Sequence, residues 1–124
     1  MGTRVFLESG SSVAAAGNES LTDADNESWV IERIQVTEES ATTLDASTAT
    51  VSVGGNNVTD SSVIVSTMQA DYDRVPVWDV AWPANKTFEF SWTNNSGAAA
   101  TINVNLWVRA LSGDQSAGDI VGSP

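Results

Sequence analysis

Residues 86–109, KTFEFSWTNNSGAAATINVNLWVR, decide the fold class that the sequence predicts. The first part of this stretch alternates Phe88, Phe90 and Trp92 with polar residues, and its last part, TINVNLWVR, is apolar at every second position. A period of two places the apolar side chains on one face of a β-strand. The Asn-Asn-Ser-Gly between the two parts consists of residues that favour turns. The stretch therefore predicts two strands joined by a turn, each strand with one buried face.

The rest of the chain continues this pattern of short apolar segments between turn residues. Residues 19–28 are acidic and predict a turn. Apolar patterning predicts strands at residues 3–7, 13–16, 29–36, 48–53 and 61–67, and an edge strand or a loop at 72–83. The run Val63-Ile-Val65 within the segment 61–67 favours a strand that is buried on both faces.

Two local irregularities are also predicted. Val30, Ile31 and Ile34 cannot all lie on one face of a regular strand, so a β-bulge is expected near Glu32 and Arg33. Gly-Gly-Asn-Asn at 54–57 indicates a hairpin, because these residues tolerate positive φ.

Together these segments predict an all-β fold, an antiparallel β-sandwich of about eight strands of the jelly-roll or Greek-key type. The alternatives of a jelly roll and an immunoglobulin-like strand order remain open at this point. The 124 residues suit a single domain, 1–124, with flexible arms at about 1–17 and 112–124.

The charge balance restricts the partners. The chain has 16 acidic and five basic residues and a net charge of −11, so we expect no binding to nucleic-acid phosphates. Lys86 is the only lysine, and Ala, Val, Ser and Thr replace much of the usual Leu, Ile and Lys. This composition is typical either of an ordinary acidic protein or of a protein from an extreme halophile, in which molar salt screens the self-repulsion of the surface. We favour the second interpretation.

The residues that are missing restrict the chemistry. The chain has no Cys and no His, which excludes disulfides, thiolate zinc sites and Ser-His-Asp triads. Asp71 and Asp73 form a carboxylate pair that could act in acid–base catalysis, but we favour a solvated turn with a local ion pair to Arg74. We therefore expect no enzyme and no cofactor. The sequence also lacks an apolar run of about 18 residues and a secretory signal pattern, so neither a membrane span nor signal-directed export is expected.

One acidic segment resembles a calcium loop. Asp23, Asp25 and Glu27 alternate as ligands do in an EF-hand, but the glycine and glutamate that such a loop needs are replaced by Ser28 and Ile34. The segment is thus either a structural cation site or ordinary surface charge.

Three tryptophans and one arginine are the candidate interface residues. Trp78 and Trp82 share a strand face with Val80, and this face either caps the core or forms an aromatic platform for a sugar or a neighbouring subunit. Trp107 interrupts the polar row that ends at Arg109, so it lies either at a subunit interface or under a loop.

The second half of the chain resembles a known class of proteins. Pro83, the alternating FEFSW at 88–92, the turn TNNSG at 93–97 and INVNLWV at 102–108 resemble the closing hairpin of small β-sandwich virion proteins of tailed viruses. The segment WVIERIQV at 29–36 resembles the strand that opens such domains. Together with the acidic surface, the chain resembles an accessory capsid protein, a decoration or turret protein, of a haloarchaeal tailed virus.

The resemblance implies a non-enzymatic subunit on the capsid surface of the virion. Its partners would be copies of itself, in a trimer or pentamer, and other capsid proteins. The two arms would become ordered on neighbouring subunits. Two alternatives remain: a minor capsid or penton protein of such a virus, and a carbohydrate-binding module that uses exposed Trp residues.

Overall fold

The computed structural model describes residues 3–39, 44–59, 62–69 and 77–111. These residues form strands and one short 3-10 helix. In chain order the elements are β1 (Thr3–Ser9), β2 (Asn18–Asp23), β3 (Trp29–Glu38), β4 (Thr48–Val53), β5 (Asn56–Asn57), β6 (Val63–Ile64), the 3-10 helix (Val65–Met68), β7 (Val77–Trp82), β8 (Phe88–Thr93) and β9 (Ile102–Ala110).

The strands form two antiparallel sheets that pack face to face, which confirms the predicted β-sandwich. One sheet has the order β1-β9-β3-β7, and the other has the order β2-β8-β4-β5 with β6 also paired to β4. Early strands pair with late ones in nested fashion: β1 with β9, β2 with β8, β3 with β7, and β4 with β5 and β6. Successive pairs alternate between the sheets. This winding is that of a jelly roll, which decides the strand order that the sequence left open.

The dry interior lies between the inner rows of the two sheets. Alternate residues of β8 and β9 supply much of it, as the alternation predicts, and the inner rows of β3 and β4 supply most of the rest. The largest fully buried side chains include Trp82, Trp92, Phe88, Phe90 and Leu106. Full burial of each such side chain stabilises the fold by roughly 1.5–3 kcal/mol relative to exposure.

The expected closing hairpin is wrong in one respect. β8 and β9 do not pair with each other but lie in opposite sheets, so the segment between them crosses the sandwich. Asn94 begins this crossing and is fully buried. Its side-chain amide donates to the carbonyl oxygens of Val13 and Ala98, both at 2.8 Å, and its Oδ1 accepts from Ser96. The apolar alternation predicted the positions of β8 and β9 correctly, but it carries no information on which strand each of them pairs with.

The bulge and the hairpin are confirmed. The register of β3 shifts between Ile31 and Arg33 against both of its neighbours. β4 turns into β5 through Gly54 and Gly55, whose φ angles are 60° and 85°. Positive φ at both central residues is the requirement that favours glycine in tight hairpins.

Three local expectations are wrong. The acidic stretch expected as a turn begins inside β2, because an edge strand needs only one inward apolar side chain, Leu21. Residues 13–16 form no strand; Val13 makes a single bridge to Ala100. The apolar run expected to be a strand buried on both faces pairs only at β6 and then becomes a 3-10 helix, since its buried residues Val65 and Met68 are three apart.

The predicted N-terminal arm is largely part of the fold. β1 forms an edge of the first sheet, and Val13 joins the core. The predicted arm at 112–124 lies outside the described residues, as does the Asp71 and Asp73 pair.

Candidate interaction surface

The outer face of the first sheet carries the most exposed apolar side chains of the described residues. Val5 is 42% exposed and Leu7 61% exposed on β1. Val5 lies opposite Trp107 of β9 in the strand register, so the two side chains share this face. We call Val5, Leu7 and Trp107 the outer patch. It is a contiguous apolar strip on the outer face of this sheet, and contiguous exposed apolar surface is a common feature of interaction sites.

Trp107 is half-buried among its neighbours in the sheet. Arg33 of β3 lies opposite it on one side and Val5 on the other. The indole N–H donates to Oε1 of Gln35 at 3.4 Å. The side chain is thus held in place by the sheet while part of its surface stays accessible, which agrees with the interface alternative and leaves it to be tested.

Arg109 joins three strands on the same face. Its guanidinium forms ion pairs with Glu32 of β3 at 3.0 Å and with Asp79 of β7 at 3.3 Å. Glu32 lies in the bulge, and Asp79 has a φ of 54°, so Arg109 links the two irregular points of this sheet. Because all three side chains are partly exposed, each pair contributes little to stability. Arg109 therefore has a local structural role, and its interface role remains a prediction.

Of the two alternatives for the face of Trp78 and Trp82, Trp82 follows the one in which this face caps the core. Only 1% of Trp82 is exposed, its indole N–H donates to the Lys86 carbonyl at 2.7 Å, and its ring lies 5.2 Å from the Phe6 ring. Trp78 is half-buried and also packs against the core. The alternation places both rings on the inner face of β7. Because β7 is an edge strand whose inner face completes the core, this face points into the sandwich.

The predicted cation site is not assembled. Asp25 accepts hydrogen bonds from the Trp29 indole N–H at 2.9 Å and from the Glu27 backbone N–H at 3.2 Å. The Trp29 hydrogen bond lowers the pKa of Asp25. Among the residues the structure describes, no three acidic side chains converge as metal ligands. Asp23 is the last residue of β2, whereas Asp25 and Glu27 follow in a loop in which the Asp25 carboxylate accepts from the Glu27 backbone and the Trp29 indole.

A carboxyl pair that the sequence did not predict lies between the edges of the two sheets. Glu8 of β1 and Asp23 of β2 are joined by a side-chain hydrogen bond. Burial, the hydrogen bond with Asp23 and the negative charge of Asp23 together raise the pKa of Glu8 to about 8, with burial as the largest cause. The two residues are distant in sequence and belong to different sheets, so only the strand order could have revealed the pair.

The outer face of the second sheet is polar. Ser20 and Ser91 face each other there, with their hydroxyl oxygens 2.7 Å apart. They line an open depression of about 190 Å³ together with Thr50. Hydroxyl groups dominate this face, which suits contact with water and ions.

Comparison with known proteins identifies no relative: no family model, curated protein or solved structure matches the chain. In the described part of the chain, no helix has the length and apolarity needed to cross a membrane.

Proposed function

We propose that this chain is a structural virion protein, a capsid decoration or turret subunit on the surface of a halophilic archaeal virus. The observation that carries the proposal is the outer patch, an exposed apolar strip on a rigid jelly-roll sandwich. Jelly rolls occur in viral capsid, lectin and cupin domains, so the fold alone supports the proposal only by analogy. The outer patch supplies the physical argument, because it provides an apolar surface for contact between subunits and needs no catalytic residues.

The surface charge supports the halophilic part of the proposal. A net charge of −11 on 124 residues disfavours close approach of identical subunits in dilute buffer. At molar salt the Debye length is about 3 Å, and subunits can then meet through short-range contacts. A protein that assembles only in brine needs a surface of this kind.

The alternatives differ in their use of the same surface. A minor capsid or penton protein would use the outer patch for contacts within the shell instead of on top of it. A carbohydrate-binding module needs an exposed aromatic ring, and the burial of Trp82 and the packing of Trp78 leave Trp107 as the ring available to it. We therefore favour the virion role over carbohydrate binding.

The proposal is tested on virus particles. Antibodies against the purified chain would be used to label particles banded in a density gradient in ~3 M salt, the regime of short screening lengths. Labelling of intact particles at regular positions is the expected result. Recovery of the chain only from cells, with no labelled particles, contradicts the proposal. Quenching of Trp fluorescence by a sugar, lost in Trp107→Ala and kept in Trp78→Ala, would favour the carbohydrate-binding alternative.

A further inference from the structure

We propose that two copies of this chain pair through β1, antiparallel, across a two-fold axis at Phe6. The contact would join two four-stranded sheets into one continuous sheet. This inference concerns a surface and its partner, and it holds or fails whether or not the chain belongs to a virion.

The free edge of β1 is available for pairing. β1 pairs with β9 on one side, and the described residues place no strand on its other side. Just beyond the strand, the Gly10 N–H donates to the Ile102 carbonyl at 2.9 Å, so Gly10 points its backbone groups towards β9. Backbone groups alternate in direction along a strand paired in this way. The N–H and C=O groups of Val5 and Leu7 therefore point away from β9, towards the open edge.

The sequence of β1 is self-complementary about its centre. β1 reads TRVFLES, so an antiparallel copy centred on Phe6 places Val5 opposite Leu7 and Arg4 opposite Glu8 of the second copy. Val5 and Leu7 of the second copy would exchange both main-chain hydrogen bonds, as residues with outward backbone groups do. Their apolar side chains would meet on the outer face and become buried there. The outer patches of the two copies would then be continuous.

The charges select this register. Arg4 and Glu8 lie opposite the buried residues Val108 and Val104, so both project to the inner side of the sheet. Inward charges usually protect an edge strand from pairing. The two residues lie at equal distances from the centre, so at a pH above 8, where Glu8 is ionised, their opposite charges form two ion pairs in a two-fold pairing. In a register shifted by two residues, Arg4 no longer lies opposite Glu8 of the second copy.

Within one chain Arg4 interacts with Asp25, and both Arg4 and Glu8 lie near the open edge of β1. The Arg4 guanidinium lies over the Phe6 ring, 4.8 Å from its centroid, and is exposed at the rim of the sandwich. The Glu8 carboxyl lies beside the acidic Asp23. In the proposed dimer, Arg4 of the second copy would approach the Glu8 and Asp23 carboxyl groups from across the edge. The charge complementarity therefore indicates a second copy of the chain as the occupant.

The other edge strand on this side of the sandwich offers no such match. β2 reads NESLTD and carries acidic Glu19 and Asp23 without a basic residue. Two copies of β2 would bring only negative charges together. The contrast between the two edges points to β1 as the pairing strand.

The experiment measures association of the full chain by sedimentation velocity in ~3 M KCl at a pH above 8, where Glu8 is ionised and long-range repulsion is screened. Four variants are compared with the original chain: R4E, E8R, the double exchange R4E/E8R, and L7P. Each single reversal places like charges opposite each other, and we expect it to weaken association by roughly two- to fivefold, since the salt screens exposed charges. The double exchange restores opposite charges and should return association to that of the original chain.

L7P tests the backbone part of the contact. The Leu7 N–H points to the open edge. A proline at this position should therefore leave the β1–β9 ladder intact, as prolines on edge strands do, while blocking a second copy. Circular dichroism checks that each variant retains its strands. Two-fold association that is weakened in R4E, lost in L7P and restored in R4E/E8R supports the proposal. A monomeric original chain, association unchanged by L7P, or single reversals that the double exchange does not rescue would overturn it.

These outcomes separate the two proposals. If particles are labelled and R4E associates as strongly as the original chain, the virion role is retained and the β1 contact is rejected. A charge-dependent pair without labelled particles would retain the contact and reject the virion role.

Discussion

At the residue scale, the amide of Asn94 connects three segments of chain at one end of the sandwich. Its two N–H groups satisfy the carbonyl oxygens of Val13 and Ala98, and its oxygen accepts from Ser96. The sequence placed Asn94 in a turn, which is correct, but a turn residue is usually exposed. Its complete burial follows from the crossing between sheets, which alternation does not reveal.

Asn94→Ala should lower the free energy of unfolding by about 1–3 kcal/mol, because the Val13 and Ala98 carbonyl oxygens would each lose one donor and the Ser96 N–H would lose its acceptor. The measurement is urea denaturation monitored by Trp fluorescence. Asn95→Ala is the matched control, since the Asn95 amide makes one exposed bond, to Ala46 at 3.1 Å. Equal losses for the two variants would contradict the role assigned to Asn94.

The Glu8 carboxyl makes stability depend on pH. Its pKa is about 8 in the folded chain, against an ordinary 4.5, because of burial and the neighbouring Asp23. The folded chain therefore binds more protons than the unfolded chain between these pH values. Its contribution is fully present below pH 4.5 and is lost as pH rises towards 8.

Glu8→Gln should remove part of this decline. We expect the variant to gain stability relative to the original chain as pH rises from 5 to 8, with little difference at pH 4.5. Thermal melts at low protein concentration across this range would measure it. Glu27→Gln, which replaces an exposed carboxylate, controls for the change in net charge. Parallel pH profiles for the original chain and Glu8→Gln would refute the assignment.

At the element scale, strands with strong alternation were predictable and irregular edges were not. β3, β4, β8 and β9 lie where the sequence placed them, because each presents a complete inner row to the core. β2 was missed, since Leu21 is its one fully buried residue. The outer patch was predicted only through Trp107; Val5 and Leu7 became part of it once β1 was known to lie beside β9. Pairing partners, which create the surface, are a property of the whole fold.

The end of β1 depends on a close approach at Gly10. A Cβ atom there would lie 2.6 Å from the Ile102 carbonyl oxygen and 2.8 Å from Oε1 of Glu19. Gly10→Ala should therefore destabilise the protein by about 1–3 kcal/mol, the usual cost of overpacking. Chemical denaturation measures the loss, and Ser12→Ala at an exposed position serves as control. A Gly10→Ala variant as stable as the original chain would show that β1 can shift away without cost.

At the scale of the whole molecule, composition predicted the class of fold but not the strand order. Eleven net negative charges are spread over the chain, and their repulsion opposes the compact state. The sandwich explains how the charge is tolerated: the inner rows are mainly apolar, and no carboxylate residue in the described part of the chain is among the buried ones.

The melting temperature should rise between low salt and ~3 M KCl at neutral pH, because screening removes the repulsion. Near pH 4, close to the sequence pI of about 4.1, the same salt increase should have a smaller effect. Differential scanning calorimetry at the two pH values makes the comparison. A salt effect of equal size at both would indicate general salting-out instead of charge screening.

The position of β9 has a consequence for synthesis. This strand is near the end of the described chain, yet it lies between β1 and β3 in the middle of its sheet. On the ribosome, β1 and β3 cannot pair with β9 until residues 102–110 have emerged from the exit tunnel. Until then the nascent chain exposes the edges of β1 and β3 that later pair with β9, and the first sheet closes only once β9 has emerged.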